Sequence, residues 1–132
     1  MANTLYPKYK ERTLKGEADF LGDDIKAYLA PSAYVYSAAH EFLSDLGTTI
    51  GTPQPLLNKV VPLGVFDADD VTFAALAPGS TVKAVVLVRD TGIPGTSNLV
   101  MYIDTVTGLP MSTNGADLTI KWSDGGYRIF AL

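Results

Sequence analysis

The sequence contains no cysteine. That excludes disulfides, thiolate catalysis and cysteine-ligated zinc or iron–sulfur centres. Histidine occurs once, at His40, so one chain cannot assemble a multi-histidine metal site. Basic residues are scarce through the middle. Lys59 is the only Lys or Arg between Ser37 and Val82, a stretch that also holds Glu41, Asp45, Asp67, Asp69 and Asp70. With a net charge of −4, no broad nucleic-acid footprint is expected, because phosphate binding needs clustered Lys and Arg. The densest basic stretch is Lys8, Lys10, Arg12 and Lys15, interrupted by Glu11, and it reads as the solvated face of one helix. Long apolar runs are also missing. The opening MANTLYPKYK has no apolar centre, so neither a signal peptide nor a membrane span is expected, and synthesis in a cytoplasm is.

What is present suits one domain, residues 1–132, with a real core. Hydrophobic residues make up 47% and charged residues 18% of 132 positions, too apolar a balance for global disorder. The 12 glycines and 8 prolines are spread along the chain, a density of turn-formers that favours many short strands. A short helix is expected over TLYPKYKERTLKG, starting at Thr4 or Leu5, with Pro7 in its first turn and Gly16 as its cap. DDIKAYLA alternates, with Ile25, Ala27 and Leu29 on one face and Lys26 and Tyr28 on the other, as in a half-buried strand. Tyr34 to Tyr36 is strand-like. Ser37 can cap a second short helix running to Leu46, with Gly47 as its stop. TTIGTPQPLLN reads as a loop. Strand candidates follow at Val60–Val65, Val71–Leu76, Val82–Arg89, Leu99–Asp104, Leu118–Trp122 and Tyr127–Leu132. KAVVLVRD is almost continuously apolar, the mark of a central strand covered on both faces. DLTIKWSDGGYRIFAL reads as a hairpin closed by SDGG. The expected fold is mainly β: a compact antiparallel sandwich or barrel-like domain with an N-terminal helix and one further short helix.

No catalytic constellation is legible. VFDADDV places three carboxylates in four positions, but the glycine and closing Glu of a calcium loop are absent. It reads as an acidic turn between strands, and no bound metal is expected there. His40 has Ser37 and Ser44 nearby but no G-x-S-x-G elbow, so packing or hydrogen bonding beside Phe42 is its expected role. Neither G-x-G-x-x-G nor a P-loop occurs. No enzyme activity and no cofactor are expected. Tyrosines and prolines carry the other signal. Tyr6, Tyr9, Tyr34 and Tyr36, with Leu5, are aromatic and apolar anchors of the kind enriched at interfaces. Pro53 and Pro55 sit in one candidate contact loop and Pro94 in another. Residues 1–16 form a candidate contact arm reaching a neighbouring subunit.

Several blocks occur in a recognisable order: LYPKYKERTLKGEADFLGDDIKAYL, YSAAHEFLSDL, GVFDADDVTF, YIDTVTGLPMSTNGADLTIKW and the closing GGYRIFAL. Together they cover most of the chain, and they resemble a family of small virion structural proteins of tailed bacteriophages. The resemblance implies a capsid-decorating or cementing role on the outer surface of the head. The major capsid protein and further copies of the chain, as a dimer or trimer, would be its partners. Another virion role, as head–tail connector, tail-tube or fibre-base subunit, stays open beside it. A β-sandwich carbohydrate-binding module is a third reading. It needs an exposed aromatic platform, whereas the single Trp122 falls at an inward position of its strand.

Overall fold

In the computed structural model, residues 3–105, 109–122 and 129–131 are described. The sheet is organised by its most apolar segment. β6 (Thr81–Arg89) is buried from Val82 to Val88 except at Lys83. It pairs along its length with β2 (Ile25–Pro31) on one side and β7 (Asn98–Ile103) on the other. The continuous apolar run therefore is the central strand. β3 (Ile50–Pro55) extends the sheet beyond β2, and β1 (Thr4–Leu5) extends it beyond β7. β8 (Met111–Ser112) pairs with the start of β6. Two short ladders stand apart: β4 (Val65–Phe66) with β10 (Phe130–Ala131), and β5 (Val71–Phe73) with β9 (Leu118–Ile120). All pairings are antiparallel. The molecule is mainly β, as expected, and among the described residues the main sheet does not close into a barrel.

One core runs through these elements. Val85, Leu87 and Ile120 are fully enclosed, Ile129 is buried in the same core, and Trp122, just past the end of β9, is buried as expected. β2 departs from the alternating pattern. Tyr28 and Ala30 are buried along with Ile25, Ala27 and Leu29, so both faces of the strand are covered.

The N-terminal helix α1 (Pro7–Leu14) begins later than expected. Thr4 and Leu5 pair instead with Tyr102 and Met101 as an edge strand. The Asn3 side-chain oxygen accepts the backbone N–H of both Asp104 and Thr105, at 3.0 Å each. At the far end, Glu17 N–H donates to Arg12 O and Gly16 N–H to Thr13 O. This double bond pattern places a left-handed residue after the helix, and Gly16 adopts φ +74° without penalty.

Other expectations are corrected. The helix from Ser37 to Leu46 shrinks to α2 (Leu43–Leu46). The Asp45 carboxylate sets its late start by accepting the Glu41 and Phe42 N–H groups, at 2.9 and 3.0 Å, which caps the N-terminus at Phe42. Tyr34 to Tyr36 is not a strand. TTIGTPQPLLN is not wholly loop, because Ile50–Pro55 forms β3. It tolerates Pro53 and Pro55 because an edge strand has one side that need not donate. Gly51, at φ +72°, sits where an added Cβ would lie 2.6 Å from Leu76 Cδ2. The expected hairpin is not paired as such: β9 takes β5 as its partner and β10 takes β4. Its SDGG turn, with Tyr127 and Arg128, lies outside the described residues.

Candidate functional site

The expected interface tyrosines turn inward. Tyr6 is 0% and Tyr9 1% exposed, and Tyr34 is also buried. Their rings offer no area to a partner in this conformation. Tyr6 stacks at 5.1 Å on Tyr36, which is half-buried and meets Tyr102 at 5.5 Å. Leu5 is half-buried within β1. Residues 3–16 are therefore built into the domain, which corrects the idea of a free contact arm: a short aromatic segment gains more from the core than from water. Of the anchors named from the sequence, Pro55 and Pro94 are exposed and Pro53 half-buried.

The buried tyrosines bring together a polar chain that sequence reasoning did not assemble. The Tyr6 and Tyr34 hydroxyls lie 2.7 Å apart, and the Tyr34 hydroxyl lies 2.8 Å from His40 Nδ1. The His40 ring also packs against Tyr34, with ring centroids 5.5 Å apart and the planes tilted by 39°. Burial pushes the Tyr6 hydroxyl well above the ordinary phenol range, and its bond to Tyr34 adds to this. Burial raises Tyr34 as well. Asp45 is held below the usual carboxylate range by the Phe42 and Glu41 N–H groups. The chain pins the N-terminal segment to the loop from Tyr34 to His40.

The acidic turn of VFDADDV is a set of structural acceptors. Asp70 Oδ1 accepts Trp122 N–H at 2.9 Å, and the Asp69 backbone carbonyl accepts the indole N–H at 2.9 Å. Asp69 Oδ2 accepts the Asn58 amide. Asp67 pairs through its backbone with Val60. Among the described residues no group of three or more His, Asp or Glu is placed to hold a metal ion.

Among the described residues two apolar surfaces stand as candidates, and they share no lining residue. The first is a groove of about 310 Å³ between the end of α1 and the 61–66 segment. Its floor is aromatic: Phe20 packs 5.3 Å from both Tyr9 and Phe66. A tight loop, in which Asp19 and Asp23 accept each other's backbone N–H groups, leaves Leu21 half-exposed at its rim. Beside the groove a 3-10 turn over Pro62–Gly64 lifts Leu63 entirely into solvent, at 103% exposure and φ +52°. Leu14, 89% exposed, stands at the helix end next to Thr13, which lines the groove. The strand expected over Val60–Val65 is broken here into an isolated bridge at Val60, the turn over Pro62–Gly64 and the start of β4 at Val65.

The second surface is a groove of about 360 Å³ lined by Pro31, Ala33, Val35, His40, Asp45 and Leu46, among others. It meets a further groove of about 410 Å³ at Pro31 and Thr48. Val35 is 72% exposed there. The exposed loop of Ile93 and Pro94 docks nearby on α2, where Ser44 N–H donates to Pro94 O at 3.2 Å.

Among the described residues no helix is long and apolar enough to cross a membrane. Comparisons with protein-family models, curated proteins and solved structures find no match to this chain.

Proposed function

We propose that this protein decorates a bacteriophage capsid, binding the outer surface of the assembled head and linking neighbouring major capsid subunits. The observation that carries the proposal is the pair of separate apolar surfaces on one small domain. A linking protein needs at least two contact faces, whereas a simple binder needs one. Exposed apolar side chains beside a groove, Leu21 at the first and Val35 at the second, offer a partner area to cover. The block-by-block resemblance to small phage virion proteins supplies the context.

Decoration works by mass action. A protein that prefers the expanded lattice stabilises that lattice by its differential affinity. Each contact can be modest, because many copies act together on one closed shell. The surface around Val35, lined also by Pro31, His40, Asp45 and Thr48, is assigned to the major capsid protein. Its Val35 side chain supplies apolar area, and its Asp45 and His40 supply polar direction.

Purified protein mixed with expanded heads that lack it should co-sediment with them and raise their heat resistance. Val35→Asp should weaken that binding without altering the unfolding of the free protein. Binding confined to a single vertex or to tails would transfer the protein to the connector or tail class. No binding to any particle would overturn the virion reading.

A further inference from the structure

We propose that Asn114 is a deamidation site that the fold holds closed, so that its side-chain amide is lost when the 113–117 connection lifts away from the 74–80 connection. This holds whether or not the chain decorates a capsid. Asn114 is the one asparagine followed by glycine, and it is exposed. Glycine at the next position leaves the asparagine carboxamide open to the backbone, because no Cβ crowds the approach. The reaction balances with water as its only co-reactant. The Gly115 amide gives up its proton to solvent base, and its nitrogen attacks Asn114 Cγ. The bond from Cγ to the side-chain nitrogen breaks and ammonia leaves, which closes a cyclic succinimide. Water then opens that ring at either carbonyl, giving aspartate or isoaspartate at position 114.

Two connections run side by side here: 74–80 between β5 and β6, and 113–117 between β8 and β9. Hydrogen bonds zip them together on both sides of Asn114. Thr113 N–H donates to Ser80 O at 2.8 Å, and the Thr113 hydroxyl accepts Ser80 N–H at 3.0 Å. Gly115 N–H donates to Leu76 O at 2.7 Å, and Leu76 N–H donates to Ala116 O at 3.1 Å. Asp117 Oδ1 accepts Ala75 N–H at 2.8 Å. The bond at Gly115 governs the chemistry. Its amide must lose a proton and turn toward Cγ, yet it is committed to the carbonyl of the buried Leu76. The carboxamide is tied as well, because Asn114 Oδ1 accepts Ala116 N–H at 3.1 Å. Both reacting groups are therefore held by bonds that the reaction must first break. Isoaspartate would put one more carbon into the main chain between the Thr113 and Gly115 bonds, so the two could no longer close in register. A single opening that reacts thus leaves a permanent mark.

Peptide mapping by mass spectrometry tests this after incubation in mildly alkaline buffer, with the purified protein either folded or unfolded in guanidinium chloride. The unfolded chain should convert Asn114 to aspartate and isoaspartate. The folded chain should do so more slowly by about tenfold or more, because only the opened fraction reacts. Thr113→Val removes the hydroxyl clasp on Ser80 and should speed conversion in the folded protein severalfold. Should that variant fail to fold, Asp117→Ala, which frees the Ala75 N–H, carries the same expectation. Leu87→Ala weakens the core toward the other end of β6 and should leave the rate at the wild-type value. An unfolded chain that keeps its Asn114 amide overturns the site. Equal rates in the folded and unfolded chains overturn the guard. Equal acceleration by Thr113→Val and Leu87→Ala overturns it too, since the reactive opening would then be global unfolding.

Discussion

A tyrosine hydroxyl shut away from water is costly to leave without a partner; Tyr6 finds Tyr34, which in turn reaches His40. Tyr34→Phe should therefore cost about 1–3 kcal/mol, because it leaves the enclosed Tyr6 hydroxyl unpaired. Urea unfolding at neutral pH measures this, and Tyr6→Phe in the same background should recover part of the loss. The raised phenol values also set an alkaline limit. Folding keeps these phenols protonated, so their contribution is complete below the ordinary tyrosine range near pH 10. Above it the unfolded chain sheds protons that the folded chain retains, and stability falls as pH rises. Unfolding curves between pH 8 and pH 11 should show that fall, and Tyr6→Phe should flatten it. At the acidic turn, chelator treatment should leave thermal unfolding unchanged, since Asp69 and Asp70 serve Asn58 and Trp122. A calcium-reversible loss of stability would contradict this. The sequence made the aromatic density plain but not its direction. Tyrosine suits an interface and a core equally, and only the placement of β1 against Tyr102 turned Tyr6 inward.

At the scale of elements, local pattern was a good guide wherever one segment determines its own state. The apolar run of β6 reads as a central strand because nothing in it could face water, and Leu87→Ala should cost about 2–5 kcal/mol. A loss well under 1 kcal/mol in equilibrium unfolding would place Leu87 outside the core. Pairing was less legible, because partner choice is settled far along the chain. The Leu118–Trp122 segment carries the alternation of a hairpin arm, yet it meets Val71–Phe73, where Asp70 and Asp69 secure Trp122. Likewise Asp45 outcompetes the helical bonds expected from Ser37 onward, a local side-chain choice that periodicity does not register. The N-terminal segment illustrates the consequence. Deleting residues 1–6 removes β1, the Asn3 acceptor and an enclosed ring, so the domain should lose stability comparable to a buried aromatic truncation, about 3–5 kcal/mol. Circular dichroism on heating would show it. An unshifted transition would restore the contact-arm idea.

For the whole molecule, the two grooved surfaces are what the decoration proposal rests on. Neither surface was legible as a site beforehand. Leu14, Leu21 and Leu63 come from three separate segments, and Pro31, Val35 and Thr48 from others, so each surface exists only after folding. Proline was the partial clue: Pro94 lies on the exposed loop docked near the second surface, whereas Pro53 and Pro55 restrain the β3 edge instead. The central claim is that the chain covers the head. Counting its copies per intact particle against the major capsid protein, by quantitative mass spectrometry of purified particles, tests that most directly. Decoration predicts a copy number that scales with the major capsid protein and falls to none on isolated tails. A small fixed number per particle, retained when tails are separated from heads, would contradict it.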